Sequence, residues 1–287
     1  MRLFNLLLVC LTTCPALGQG DFFTLTDGTK LYVEETGEGQ TLVFIPGWTM
    51  TSRFFDKQQK YFSEEYQVVT YDPRGQGRSD KSTSNNTYAY HAADLRELFL
   101  QKDLKNIVLI GWSSGCLTMY EYLRSFGVDR IEKLVFIDES PKWIGNSETE
   151  WVYGSFDDYR SSLKELVSDH SSDADGIIDW MLADPVDSLT RQWMREEISM
   201  TPNYVALPLY VDGLTSDYTK EITALSADIP TLFMVRSSWY DQAANWLGKN
   251  APHAKVVSAS SHAMFWEQPV RFNQILSKFL TSTTHQR

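Results

Sequence analysis

The segment at residues 111–115, Gly-Trp-Ser-Ser-Gly, constrains the fold of this chain more than any other feature of its sequence. It directly follows residues 107–110, an apolar run rich in β-branched side chains that indicates a buried strand. Residues 116–124 come next, and their apolar side chains recur at a spacing typical of a helix. Gly-x-Ser-x-Gly between a strand and a helix is typical of a nucleophile elbow, a strained turn that exposes the serine hydroxyl at the edge of a sheet. The motif therefore predicts that Ser113 is a nucleophile.

The amino-terminal segment has a different character. Arg2 precedes a short apolar run, and small residues follow that run at Ala16 and Gly18, a pattern typical of a cleavable secretory signal peptide. The run is too short to cross a bilayer. We therefore expect a signal peptide over residues 1–18, no membrane span, and a mature protein that is secreted or periplasmic.

The charge of the chain limits the kinds of molecule that it can bind. The 287 residues carry a formal net charge of −11, which argues against nucleic acid as a partner because its phosphates would be repelled. Asp169, His170, Asp173 and Asp175 could suggest a metal site. They lack ordered ligand spacing, however, and a solvated loop is the better interpretation. We expect no metal and no other cofactor.

Strand and helix patterns alternate along the remaining chain. A hairpin is predicted over residues 23–34, with its turn at Asp27-Gly28. The further predicted strands cover residues 41–45, 67–71, 107–110, 133–138, 231–235 and 255–258, and predicted helices cover residues 54–62, 91–100, 116–124 and 271–280. Such alternation predicts an α/β fold in which helices cover both faces of a mostly parallel sheet.

Four motifs occur in a fixed order along the chain. They are Ile-Pro-Gly-Trp at 45–48, Asp-Pro-Arg-Gly-Gln-Gly-Arg-Ser at 72–79, the segment 111–115, and Ser-His at 261–262 ahead of Phe-Trp-Glu-Gln-Pro at 265–269. Together they resemble the α/β-hydrolase superfamily. The resemblance implies the α/β-hydrolase fold, with a mostly parallel eight-stranded sheet, helices on both faces and a helical cap. It divides the chain into a hydrolase core at residues 19–141 and 228–287 and a cap insertion at 142–227.

The same resemblance assigns roles to individual residues. Ser113 would attack a carbonyl carbon while His262, the superfamily histidine, removes its proton. The backbone N–H groups of Ser114 and Trp48 would form the oxyanion hole. The motif at 72–79 lacks the ending of a phosphate loop, and we expect its Asp72 and Arg74 to brace the loop around the site.

The acid of the triad is less directly specified. Relatives usually place an aspartate in a Gly-x-x-Asp loop after the strand that we predict at 231–235, but here that loop is shortened and its first aspartate is Asp241, which could simply cap a helix. Asp138, at the end of the preceding predicted strand, is the alternative, and some superfamily members draw their acid from that position. We favour Asp138, because the usual loop is degenerate, and Asp241 remains the competing candidate.

The predicted cap is rich in aromatic side chains and methionine. A few of them would line an apolar pocket above Ser113, and we expect Trp48 and Trp112 to add aromatic walls. A hydrophobic ester fits such a pocket best. The segment 136–142 also resembles a branch labelled non-heme chloroperoxidases or esterases, so lactonase or perhydrolase activity on the same triad is an alternative. A non-catalytic binding protein on a hydrolase fold is a further one.

Overall fold

Eight strands form one sheet in the described part of the chain. The structure, a computed structural model, describes residues 20–147, 149–168 and 174–282, so the predicted signal peptide lies outside it. The strands are β1 (Asp21–Thr24), β2 (Lys30–Thr36), β3 (Thr41–Ile45), β4 (Gln67–Tyr71), β5 (Ile107–Trp112), β6 (Ile131–Ile137), β7 (Thr231–Arg236) and β8 (Lys255–Ala259). Their order across the sheet is β1-β2-β4-β3-β5-β6-β7-β8.

The sheet is parallel from β4 to β8 and antiparallel at its β1 end. β1 and β2 form the predicted hairpin, and β2 pairs antiparallel with β4. The remaining neighbours pair in parallel, with β3 between β4 and β5. The predicted mostly parallel eight-stranded sheet is thus confirmed.

Helices cover both faces of the sheet. They are α1 (Asp56–Phe62), α2 (Tyr88–Gln101), α3 (Gly115–Phe126), α4 (Phe156–Ser168), α5 (Ala174–Met181), α6 (Ser188–Ser199), α7 (Asn203–Thr215), α8 (Thr219–Thr223), α9 (Tyr240–Asn250), α10 (Met264–Glu267) and α11 (Pro269–Leu280). Alternate strand residues enter two apolar clusters: Val43 of β3 packs on one face, beneath α2, α3 and α9, and Phe44 on the other, beneath α1 and α11.

Two predicted helices differ more from the structure than the other two, whose ends match within two residues. α2 begins at Tyr88, three residues before the predicted start, because the Thr87 side chain caps it by accepting from the Tyr90 N–H. The predicted helix at 54–62 is a 3₁₀ turn over Ser52–Phe55 followed by α1.

The predicted cap segment contributes α4 to α8 between β6 and β7. Glu197 on α6 is buried and joins this segment to the core: its carboxylate accepts from Thr51 Oγ1 at 2.6 Å, from Arg53 Nη1 at 2.9 Å and from Arg78 Nη2 at 3.1 Å. Among the described residues, no helix is long and apolar enough to cross a membrane.

Candidate active site

Three predicted site residues and one arginine that was not predicted lie at the carboxyl ends of four neighbouring parallel strands. Ser113 follows β5, Asp138 follows β6, Arg236 ends β7, and His262 lies in the loop after β8. Functional groups of α/β sheets collect at this edge, because the loops that follow parallel strands emerge there together.

Ser113 occupies a strained turn. Its φ is 54°, a left-handed value that is unfavourable for a residue with a side chain. The turn is possible because its neighbours are glycines: a Cβ on Gly111 would lie 2.9 Å from the Cys116 amide nitrogen, and one on Gly115 would collide with the Ile45 carbonyl oxygen. The Gly-x-Ser-x-Gly spacing is therefore a steric requirement of this turn.

The two predicted oxyanion residues flank the elbow. Ser114 is the N-cap of α3, where backbone N–H groups lack intrahelical acceptors. Trp48 comes from the loop after β3, and a Cβ on the preceding Gly47 would lie 3.1 Å from the Ser113 Cβ, so this loop runs directly beside Ser113. The Trp48 indole donates to the Ala206 carbonyl of α7 at 2.7 Å, which ties the loop to the cap.

Buried side chains of the motif at 72–79 brace this loop. Gln76 accepts from the Thr49 N–H and donates to the Gly47 and Met50 carbonyls, each at 3.1 Å. Asp72 accepts from the Ser52 N–H at 2.6 Å. The bracing role that we expected of Asp72 agrees with these contacts, and the importance of Gln76 was missed.

Arg74 of the same motif braces a different region. Its guanidinium pairs with Asp94 on α2 at 2.6 Å and with Asp27 in the hairpin turn at 2.8 Å. It therefore fastens α2 to the hairpin and does not contact the site loop through these bonds.

His262 hydrogen-bonds to Asp138. The distance between His262 Nδ1 and Asp138 Oδ2 is 2.7 Å, and the two side chains are 2% and 0% exposed. Asp138 also has a left-handed φ, 52°. Asp241 is exposed in the first turn of α9. Of the two candidate acids, Asp138 is the one that this geometry pairs with the imidazole.

An arginine, Arg236, stands at the end of β7, next to the shortened loop that holds Asp241 as a candidate acid. The Arg236 N–H donates to Asp138 Oδ1 at 2.7 Å, and its Nη1 donates to Oδ2 at 2.9 Å, the oxygen that also bonds His262. No sequence pattern indicates a role for Arg236, and only the shortened loop after β7 points to this position.

The surroundings favour a neutral imidazole. Burial lowers the pKa of His262, and the positive charge of Arg236 lowers it further. The hydrogen bond and the negative charge of Asp138 raise it. Burial is the largest of these effects, so the pKa of His262 lies below its ordinary value. A neutral imidazole is the form that accepts a proton from a serine.

Trp112 does not line the pocket, contrary to our expectation. It is 1% exposed and packs against Phe54, Phe55 and Phe265 in the core. Its indole N–H donates to the His262 carbonyl at 2.9 Å. Trp112 therefore anchors the loop that holds His262, because strand alternation turns the Trp112 side chain into the core.

Several aromatic side chains of the predicted cap segment lie around the site. Tyr210 packs on Trp48 and on Trp143, with ring centroids 5.2 and 5.3 Å apart. Trp180 lies 4.3 Å from the His262 ring and is 53% exposed, so it covers the histidine at the surface. Other cap aromatics only pack: Trp151 is buried against the core.

Glu139 is a buried acid next to Asp138. It is 1% exposed, and the Ser140 N–H donates to its Oε1 at 2.9 Å. Burial raises the pKa of Glu139 to about 8. This carboxyl is therefore largely protonated at neutral pH.

The residues considered for a metal site lie mostly outside the described part of the chain, including Asp169, His170 and Asp173. Asp175 pairs with Arg191 and Arg195. The described ranges contain no group of three or more His, Cys, Asp or Glu side chains arranged to hold a metal ion.

Comparison with known proteins agrees with this architecture. A family model for the alpha/beta hydrolase fold matches residues 40–165. A non-heme haloperoxidase from Rhodococcus erythropolis is 26% identical over 278 residues, which cover 91% of this chain and 99% of that protein. An esterase from Exiguobacterium antarcticum superposes with a TM-score of 0.84 at 22% identity, and a bromoperoxidase from Bacillus anthracis with 0.84 at 23%; each match covers 92% of this chain and all of the other.

The order of the strands, the site at their carboxyl ends and the match to the family model all indicate the same fold. The chain has the α/β-hydrolase fold, and its sequence is similar to that of non-heme haloperoxidases.

Proposed function

We propose that this protein is a serine hydrolase that cleaves a carboxylic ester of a small to medium, largely hydrophobic substrate through an acyl-enzyme. The observation that carries the proposal is the 2.7 Å hydrogen bond between His262 Nδ1 and Asp138 Oδ2, both buried at the strand edge that also holds the strained Ser113. A nucleophile, a base and a buried acid that orients the base are the parts of a hydrolytic triad.

In this mechanism Ser113 Oγ attacks the ester carbonyl carbon and its proton passes to His262 Nε2. The carbonyl oxygen becomes an oxyanion, which accepts hydrogen bonds from the backbone N–H groups of Trp48 and Ser114. As the intermediate collapses, the C–O bond to the alcohol breaks and His262 protonates the departing alcohol. Water then attacks the acyl-enzyme, again with His262 as base, and the acid and free Ser113 are regenerated.

Asp138 acts on the base throughout this cycle. Its carboxylate holds the imidazole with Nδ1 protonated, which leaves Nε2 free to accept the serine proton, and it stabilises the imidazolium that forms. The aromatic rings of Trp48, Tyr210 and Trp143 favour substrates with an apolar acyl or alcohol part.

Two relatives among the matches are a haloperoxidase and a bromoperoxidase by name, and this favours perhydrolysis as a second candidate. Hydrogen peroxide in place of water at the acyl-enzyme would release a peracid and use the same residues. Lactones present the same carbonyl chemistry with the leaving alcohol retained on the acyl chain.

A panel of p-nitrophenyl esters from acetate to laurate, with γ- and δ-lactones and with peroxide added in a parallel series, tests the proposal. We expect turnover that depends on Ser113 and peaks at one range of acyl lengths. Absence of turnover on every ester and lactone, together with retained binding of a non-hydrolysable ester analogue, would instead support a binding protein on a hydrolase fold.

A further inference from the structure

Arg236 contacts both members of the Asp138–His262 pair. Asp138 Oδ1 accepts the Arg236 backbone N–H at 2.7 Å. Asp138 Oδ2 is shared, since it accepts from Arg236 Nη1 at 2.9 Å and from His262 Nδ1 at 2.7 Å. Arg236 Nη1 and His262 Nδ1 lie only 3.4 Å apart.

Three aromatic rings hold the guanidinium in this place. The Arg236 Cζ lies 4.5 Å from the ring centroid of Trp239, 5.2 Å from that of Trp180 and 5.4 Å from that of Tyr153. The side chain is 17% exposed. Aromatic faces attract a cation at these distances, so the guanidinium is fixed both by the Asp138 carboxylate and by the rings.

We propose that Arg236 is a positioning residue of the triad: it fixes the Asp138 carboxylate, and its charge keeps His262 unprotonated at a lower pH than the Asp138–His262 pair alone would allow. This inference rests on the proposed function in assigning His262 as the base.

The physical reason is competition between two cations for one carboxylate oxygen. When His262 accepts a proton, the imidazolium lies beside the guanidinium, and like charges disfavour that state. The same repulsion makes His262 a weaker base. In return, the imidazole stays neutral under mildly acidic conditions.

In the part of the chain that the structure describes, Asp138 and Arg236 are the charged groups that act on the imidazole. Glu139 adjoins Asp138 in the chain, Tyr153 Oη donates to the Asp138 carbonyl at 3.3 Å, and Glu267 of α10 accepts from Ser261, the residue before His262. Burial raises the pKa of Glu139 to about 8 and holds that of Tyr153 well above its ordinary value. These two groups therefore titrate on the alkaline side, apart from the acid limb that His262 governs.

The test is the pH dependence of kcat/KM for the best ester in wild type, Arg236→Met and Arg236→Lys. We expect the acid limb of Arg236→Met to move to higher pH by about one unit, as removal of a neighbouring like charge does. Arg236→Lys retains the charge, and its acid limb should lie nearer to that of wild type. Arg124→Met is the matched control, since Arg124 also pairs with carboxylates and lies over an aromatic ring, that of Tyr218, but does so far from His262 along α3.

A second measurement does not require turnover. The far-downfield imidazole N–H resonance of His262 can be titrated by NMR in the same variants, with Arg236→Gln as a replacement if Arg236→Met does not fold. An unchanged His262 titration in a folded Arg236→Met protein would overturn the inference, as would a loss of kcat at every pH without a shift of the limb. If no ester is turned over but the titration shifts as expected, the proposed function fails and the role of Arg236 in tuning His262 stands.

Discussion

The turns after β5 and β6 lie side by side, and each contains a residue in the left-handed backbone conformation. The two turns are stabilised in different ways. Ser113 has a φ of 54° and Asp138 a φ of 52°. The first turn is made possible by its own sequence, because Gly111 and Gly115 remove the side chains that would collide. No glycine adjoins Asp138, and its turn is instead held by three hydrogen bonds to its carboxylate from Arg236 and His262.

The difference teaches where strain comes from in this site. A turn that needs glycine neighbours carries a local signature that is visible in any sequence. A turn held by distant partners has none, since Arg236 and His262 lie 98 and 124 residues away from Asp138 in the chain.

The largest expected effect belongs to the nucleophile. Ser113→Ala removes the hydroxyl oxygen that would form the proposed acyl-enzyme, and we expect kcat to fall by about 10⁵–10⁶-fold, as it does in serine hydrolases. Steady-state kinetics on the best ester, with circular dichroism to verify folding, measures this. Turnover within tenfold of wild type would place the nucleophile elsewhere.

The second-largest effect is expected for Asp138, in the turn after β6. Asp138→Asn keeps the shape but not the charge, and we expect kcat to fall by about 10⁴-fold because the imidazole takes the wrong tautomer. Asp241→Asn is the control, as an exposed aspartate on α9, and should stay near wild type. The reverse result would assign the acid to Asp241 and remove the contrast between the two turns.

The dependence of the turn after β5 on its glycines can be tested through the stability of the fold. Gly115→Ala forces a methyl group against the Ile45 carbonyl oxygen, and overpacking of this kind costs about 1–3 kcal/mol of unfolding free energy. Urea unfolding followed by fluorescence gives the value. A Gly115→Ala variant as stable as wild type would mean that the elbow glycine is dispensable.

The smallest expected effect concerns the bond that joins the elbow to the histidine loop. Trp112→Phe keeps an aromatic ring in the core but loses the donor to the His262 carbonyl, and we expect a loss of about 1 kcal/mol in stability with a several-fold drop in kcat. Trp193→Phe is the matched control, because the described residues offer no acceptor for its indole N–H. Equal effects in the two variants would show that the hydrogen bond contributes nothing beyond ring packing.

Sequence patterns predicted the strands and most helices because apolar periodicity reports directly which side chains are buried. They also indicated Ser113 and Ser114 through the motif, and His262 and Trp48 by family resemblance, as candidate site residues. They were wrong about Trp112, since a motif does not tell which face of the sheet a flanking side chain enters. They missed Gln76 and Arg236, whose partners lie in other loops and strands.

By itself, the sequence determined the alternating α/β pattern, the elbow at Ser113 and the short list of candidate acids, Asp138 and Asp241. These features depend on neighbours within a few residues, where spacing and steric bulk suffice. The pairing of Asp138 with His262, and the contact of Arg236 with the same carboxylate, are visible in the folded chain alone. The physical reason is that parallel strands bring residues about 100 positions apart to one edge of the sheet, and hydrogen bonds across that edge leave no local pattern in the chain.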